Sequence, residues 1–184
     1  MATTGTIGRV STSRPTLSKL PMSREEFSAL GDTKHHEYYD GMCIVNPPQR
    51  RHVRAEIRLL DLLRAVCPPA FEVLMEWGWQ TGTSIFEPDL MVVPADGPVT
   101  IQRDPPMLVV EVLSPFNRLD DLVRKRELYA QAGAPWFWLV DIDAPSITVL
   151  QNVDRVFIAR QVLTGAGTTV GPLQVGVDPR VLAD

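Results

Sequence analysis

Two carboxylates stand where the chain is otherwise apolar. Asp89 opens the run Leu90–Val93, and Glu111 lies inside Met107–Leu113. Both segments are rich in Val, Leu and Met and bounded by prolines, the pattern of central strands covered on both faces. A carboxylate on such a strand faces a large desolvation penalty unless it is paired or holds a cation. Two of them on adjacent strands would also repel each other. A divalent metal between them removes both difficulties. Hard oxygen donors favour Mg²⁺ or Mn²⁺ over zinc, and the chain has no Cys/His cluster at metal-ligand spacing.

Strand alternation adds detail. Val109, Glu111 and Leu113 share one face, and Val110 and Val112 the other. Leu113 stands where a lysine would have completed a strand-borne Glu-x-Lys triad. The nearest suitable cation downstream is Lys125, on the helix that follows. Asp121 lies four residues before it and therefore shares its face. On spacing alone that pair is either a surface salt bridge or part of the site.

The elements that must position these groups can be read from period and punctuation. Ser23 and Glu26 form a capping-box pattern that starts a short helix over 23–30. His36–Tyr39 and Met42–Val45 flank Asp40-Gly41, a hairpin turn that Pro47-Pro48 closes off. Gln49 to Val66 reads as a long helix with Val53, Ile57, Leu60, Leu63 and Cys67 on its apolar face. Arg50, Arg51, Arg54 and Arg58 crowd the opposite sector, as a solvated face or as a surface that grips phosphates. Phe71–Gln80, Pro88–Val93 and Met107–Leu113 read as strands, and Arg118–Ala132 as a second helix that Gly133 and Pro135 end. Trp136–Ile142, Ile147–Leu150 and Arg155–Leu163 read as further strands. The alternation predicts an α/β (α+β) domain in which helices flank a mixed sheet.

Composition bounds the function. The 184 residues are 45% hydrophobic and 22% charged, ordinary values for a globular domain. The expected division is a disordered tail over 1–20 and a single domain over 21–184. The tail carries Arg9, Arg14 and Lys19, and the first carboxylate is Glu25. No apolar run reaches the roughly 18 residues of a membrane span. The net charge of −4 excludes a generally basic nucleic-acid binder, so any such surface must be local. Two lone thiols, Cys43 and Cys67, point to a reducing compartment, the cytoplasm.

Taken in order, several motifs resemble one family. They are Met22-Ser23-Arg24-Glu25-Glu26-Phe27, Glu37 before Asp40-Gly41, His52, Pro88-Asp89 and Glu111-Val112-Leu113-Ser114-Pro115. Asp121, Lys125 and Tyr129 follow, then Gly133-Ala134-Pro135-Trp136-Phe137-Trp138-Leu139-Val140-Asp141. Together they resemble the Uma-type endonucleases of the restriction-endonuclease-like, PD-(D/E)xK superfamily, over about residues 21–150. Tyr38-Tyr39, Met42-Cys43 and Pro115-Phe116-Asn117 depart from the family's usual residues but remove no proposed ligand.

The resemblance implies a restriction-endonuclease-like fold and a metal-dependent endonuclease acting on DNA. Its catalytic lysine has moved from the strand to the helix, which matches Leu113 and Lys125. It implies that Asp89, Glu111 and the main-chain carbonyl of Val112 hold Mg²⁺ (or Mn²⁺), and that Lys125 assists the attacking water. By the same resemblance Glu37 reaches the site from the hairpin, and His52 plays a supporting, hydrogen-bonding part. Asp121 would hold Lys125 in place. A homodimer would supply two sites for two strands. Trp136, Phe137 and Trp138 are core, a dimer interface or a platform for a base. Two alternatives remain: an inactive nucleic-acid-binding or interaction module on the same fold, and a hydrolase acting on RNA or a small substrate.

Overall fold

The computed structural model describes residues 18–31, 33–45, 49–98, 100–113 and 120–182; of residues 120–122 it describes the backbone alone. Strands β1 (Ser18–Pro21), β2 (His36–Tyr39) and β3 (Met42–Val45) surround helix α1 (Arg24–Ser28) in the chain. Helix α2 (Arg50–Val66) follows, then β4 (Phe71–Met75), β5 (Trp79–Thr81), β6 (Ser84–Phe86), β7 (Leu90–Pro94) and β8 (Leu108–Leu113). A π-helical turn (Asp120–Lys125) runs into α3 (Arg126–Gln131). The chain ends with β9 (Trp136–Asp141), β10 (Ser146–Val153), β11 (Val156–Leu163), β12 (Gly167–Thr168), β13 (Gly176–Val177) and α4 (Pro179–Leu182).

The main sheet has the order β11-β10-β9-β8-β7-β4. It is mixed, because β8 and β9 are parallel while β7 and β8 are antiparallel. The two carboxylate-bearing runs thus lie side by side in its interior. The alternation of β8 then sorts the core into two layers. Leu108, Val110 and Val112 pack with Ala55, Leu59 and Leu63 of α2 and with Leu182 of α4. Val109 and Leu113 pack with Tyr129 and Ala130 of α3, and with Tyr39, Ile44, Trp79 and Phe86. The last four belong to a second sheet, β1-β3-β2-β6-β5, or border it. Each of these fully buried aliphatic side chains contributes about 1.5–3 kcal/mol of transfer free energy.

Local chemistry explains the ends. Ser23 caps α1 with both halves of the capping box in place. Asp40 and Gly41 have φ of 54° and 70° and turn β2 into β3. Gly133, at φ 91°, ends α3 as expected. Ser18–Pro21 pairs with β3, so residues 18–20 of the segment expected as tail form a sheet edge. Pro47 and Pro48 fall outside the described residues.

The helix wheel of α2 requires a correction. Its buried face is His52, Ala55, Glu56, Leu59, Leu60 and Leu63. Ile57 is 46% exposed and Val53 only half-buried. The stripe is rotated toward two polar residues because the sheet offers His52 a partner in Asp89, and His52 in turn pairs with Glu56. The second helix also differs: it opens with the π-helical turn, a widening often found at functional sites. Phe137 and Trp138 are buried in opposite core layers, which removes them as a surface platform.

Candidate active site

The β7–β8 register pairs Leu90 with Val110 and Met91 with Val109. Continued by one residue, it sets Asp89 opposite Glu111. Both are buried, as are Glu37 on β2 and Lys125 at the end of the π-helical turn. The structure therefore brings the four expected groups together around the β7–β8 pair.

Lys125 is the hub. Its Nζ lies 3.0 and 3.1 Å from the two carboxylate oxygens of Glu111 and 3.0 Å from Oε2 of Glu37. Tyr129, one helical turn on, donates its hydroxyl to Oε1 of Glu111 at 2.6 Å. Burial, and then the Glu111 charge, raises that phenol well above its usual range, so it remains a donor. Glu37 is held from the other side by the backbone N–H of Glu87, at 2.9 Å to Oε1. Glu37 thus belongs to the setting of the lysine.

Asp89 is held at both oxygens. The N–H of Val112 donates to Oδ2 at 2.6 Å, and Nε2 of His52 lies 3.2 Å from Oδ1. The same Nε2 lies 3.0 Å from Oε1 of Glu56. Burial alone would push the Asp89 carboxyl up, but the His52 charge and hydrogen bond, Lys125 and the Val112 N–H outweigh it and hold it low. Burial would likewise keep His52 neutral. The Asp89 and Glu56 carboxylates prevail and raise the imidazole to about 11. Glu56 is raised, chiefly by burial.

Other expected residues fall elsewhere. Arg50, Arg51 and Arg54 are exposed and Arg58 is half-buried. Arg51 pairs with Asp143 at 3.2 Å, and Arg58 donates to the carbonyl of Val181 in α4, so these two tie α2 to the fold. The side chain of Asp121 lies outside the described residues. Tyr129, Glu56 and Glu87 join the site without having been assigned a part in it. The i, i+4 spacings Lys125/Tyr129 and His52/Glu56 were the available signals. Glu87 is raised to about 7, by burial first and then by the Glu37 charge.

The donor set suits a hard divalent cation. Among the described residues, four buried carboxylates, Glu37, Glu56, Asp89 and Glu111, are set with the buried Lys125 and His52. Among the described residues, the three metal-ligand types whose donor atoms lie within 4.8 Å of one another are His52, Glu56 and Asp89. Asp89 belongs both to that group and to the strand pair with Glu111.

A mixed sheet flanked by helices, with carboxylates on two adjacent interior strands, is the restriction-endonuclease-like fold. The crystal structure of a "putative nuclease belonging to DUF820" from Anabaena variabilis superposes with a TM-score of 0.74 at 20% identity, covering 89% of this chain and 98% of that one. The chain belongs to the Uma2 family, described as "Putative restriction endonuclease", whose profile matches residues 24–177. No curated protein matches it. Among the described residues, no helix is long and apolar enough to cross a membrane.

Proposed function

We propose that this chain is a metal-dependent endonuclease that hydrolyses phosphodiester bonds of DNA. The observation that carries the reading is the burial of Asp89, Glu111, Glu37 and Lys125 around one strand pair. Family membership supports the same reaction class.

Asp89, Glu111 and the main-chain carbonyl of Val112 would hold Mg²⁺ or Mn²⁺. When bound, the ion supplies Lewis acidity toward the phosphate and a more acidic water. Lys125, gripped by Glu111 and Glu37, orients the attacking water and offsets the negative charge that builds on the phosphate oxygens. Glu37 and Tyr129 fix the lysine and Glu111 and thereby reduce the reorganisation needed at the moment of attack. Arg50 and Arg54, exposed on α2, give the acidic molecule a local positive surface for the phosphate backbone. A homodimer acting in the cytoplasm would place two such sites on two strands.

Calorimetric titration of Mn²⁺ and Mg²⁺ into the purified protein tests the metal assignment. Binding should be lost in the Asp89→Ala/Glu111→Ala variant. Undiminished binding in that variant, or none by the wild type with or without uncleavable DNA, would refute it and favour an inactive binding module on the same fold.

A further inference from the structure

We propose that Glu56 and His52 are positioning residues that act in series: Glu56 orients the His52 ring, and His52 fixes the Asp89 carboxylate in the pose that accepts the cation. This rests on the reading of Asp89 and Glu111 as ligands of a divalent cation.

Both carboxylates converge on one ring nitrogen. Glu56 Oε1 meets His52 Nε2 at 3.0 Å, and the same Nε2 meets Asp89 Oδ1 at 3.2 Å. Glu56 is only 2% exposed, and His52 is its partner among the described residues. A carboxylate so buried is costly unless it is paired, and the neighbouring buried positions of α2 are Ala55, Leu59, Leu60 and Leu63. The helix turns a histidine and a glutamate inward and leaves Ile57 outward. That exchange gains no packing, so what it provides is the contact with Asp89. With Val112 N–H on Oδ2 and His52 on Oδ1, the Asp89 carboxylate is held at two points and its plane is fixed. The remaining lone pairs are left for a cation beside Glu111.

The same three residues could instead be read as ligands of an ion of their own. The ring argues against this. A ligating imidazole gives one nitrogen to the metal and donates the other N–H to an outer partner. His52 Nδ1 is buried with no partner among the described residues, and Nε2 faces both carboxylates at N–H···O distances. We read Nε2 as the nitrogen that the two carboxylates share. Outer groups that orient a metal ligand typically change metal affinity by about 10- to 100-fold.

The test is a mutant cycle read by Mn²⁺ calorimetry, with thermal melting as the folding control and DNA cleavage titrated with Mn²⁺ as a second readout. Glu56→Gln should weaken Mn²⁺ binding about tenfold, and half-maximal cleavage should need correspondingly more Mn²⁺. In a His52→Ala background the same substitution should have a smaller effect, because the ring contact is gone and only the charge of Glu56 near Asp89 remains. His52→Gln, which keeps a donor toward Asp89, should bind Mn²⁺ more tightly than His52→Ala. Unchanged affinity in Glu56→Gln, or additive losses in the double variant, would overturn the relay while leaving the Asp89/Glu111 site standing. Binding that survives Glu111→Ala but is lost in Glu56→Ala would show an ion on His52, Glu56 and Asp89, and would also overturn it. If Glu56→Gln fails to fold, the two His52 variants decide, and equal losses would refute the relay. A wild type that binds no Mn²⁺ would remove both the relay and the metal reading beneath it.

Discussion

Lys125 sets the character of the site at the level of single residues. A lysine is seldom buried to 4% exposure, and this one is held by Glu111 and Glu37. Removing one partner of a buried charged group leaves the others uncompensated. Lys125→Met should therefore lower stability by about 3 kcal/mol at pH 7, measured by urea unfolding, and should lower cleavage by about 10²- to 10³-fold. A variant as stable as the wild type would contradict the buried network. Asp89 and Glu111 were legible in the sequence because an acid inside an apolar run is anomalous. Glu56 was not, because glutamate is an ordinary helix residue and only the three-dimensional partner shows that it points inward. Glu37 was reached by family resemblance, since nothing about a glutamate before an Asp-Gly turn marks it as buried.

The elements are held in register by contacts at their ends. The β2–β3 turn is clasped to the π-helical turn by Asp40 and Arg124, with Arg124 Nε donating to Oδ2 at 2.5 Å and NH2 to Oδ1. This clasp joins the hairpin that carries Glu37 to the segment that carries Lys125. The hydrogen bonds from Arg124 lower the Asp40 pKa. A depressed carboxylate contributes stability above its unfolded pKa of about 3.9, and that contribution is lost as pH falls through the folded value. Both side chains are more than a third exposed, so screening limits it to about 0.5 kcal/mol. Asp40→Asn should be less stable than the wild type at pH 6–7 and equal to it near pH 2, by thermal melting in low salt. An equal deficit at both pH values would show that the turn itself, rather than the ion pair, had been disturbed. Most strands of the main sheet were legible from apolar runs, and Asp40-Gly41 from its turn chemistry, but the expected strand Phe71–Gln80 divides into β4 of the main sheet and β5 of the second. The apolar face of α2 was misplaced, because a wheel scored on hydrophobicity cannot anticipate that His52 and Glu56 are drawn inward by Asp89. The second sheet was hidden beyond its β2–β3 hairpin. Its strands are short, and β2 meets β6 through Tyr38 and Ile85 alone, a non-local pairing with no signature in either segment.

For the whole molecule the proposed function sets an acidic protein on an acidic polymer. The net charge of −4 includes the buried carboxylates, and a bound divalent cation would offset part of it. On that reading the exposed Arg50 and Arg54 would mark where DNA approaches. Arg50→Ala/Arg54→Ala should weaken DNA binding uniformly across sequences. It should also reduce the slope of log K against log salt by about 2, from about 0.9 per phosphate contact, measured by fluorescence anisotropy. An unchanged slope would move the DNA path away from α2. The most direct test of the account is cleavage of plasmid and single-stranded DNA by the wild type and by Glu111→Ala, each with Mg²⁺, with Mn²⁺ and with chelator. The account predicts cleavage by the wild type with either metal, none in chelator, and a loss of at least about 10²-fold in Glu111→Ala. Cleavage that persists in chelator, or in folded Glu111→Ala at the wild-type rate, would contradict it.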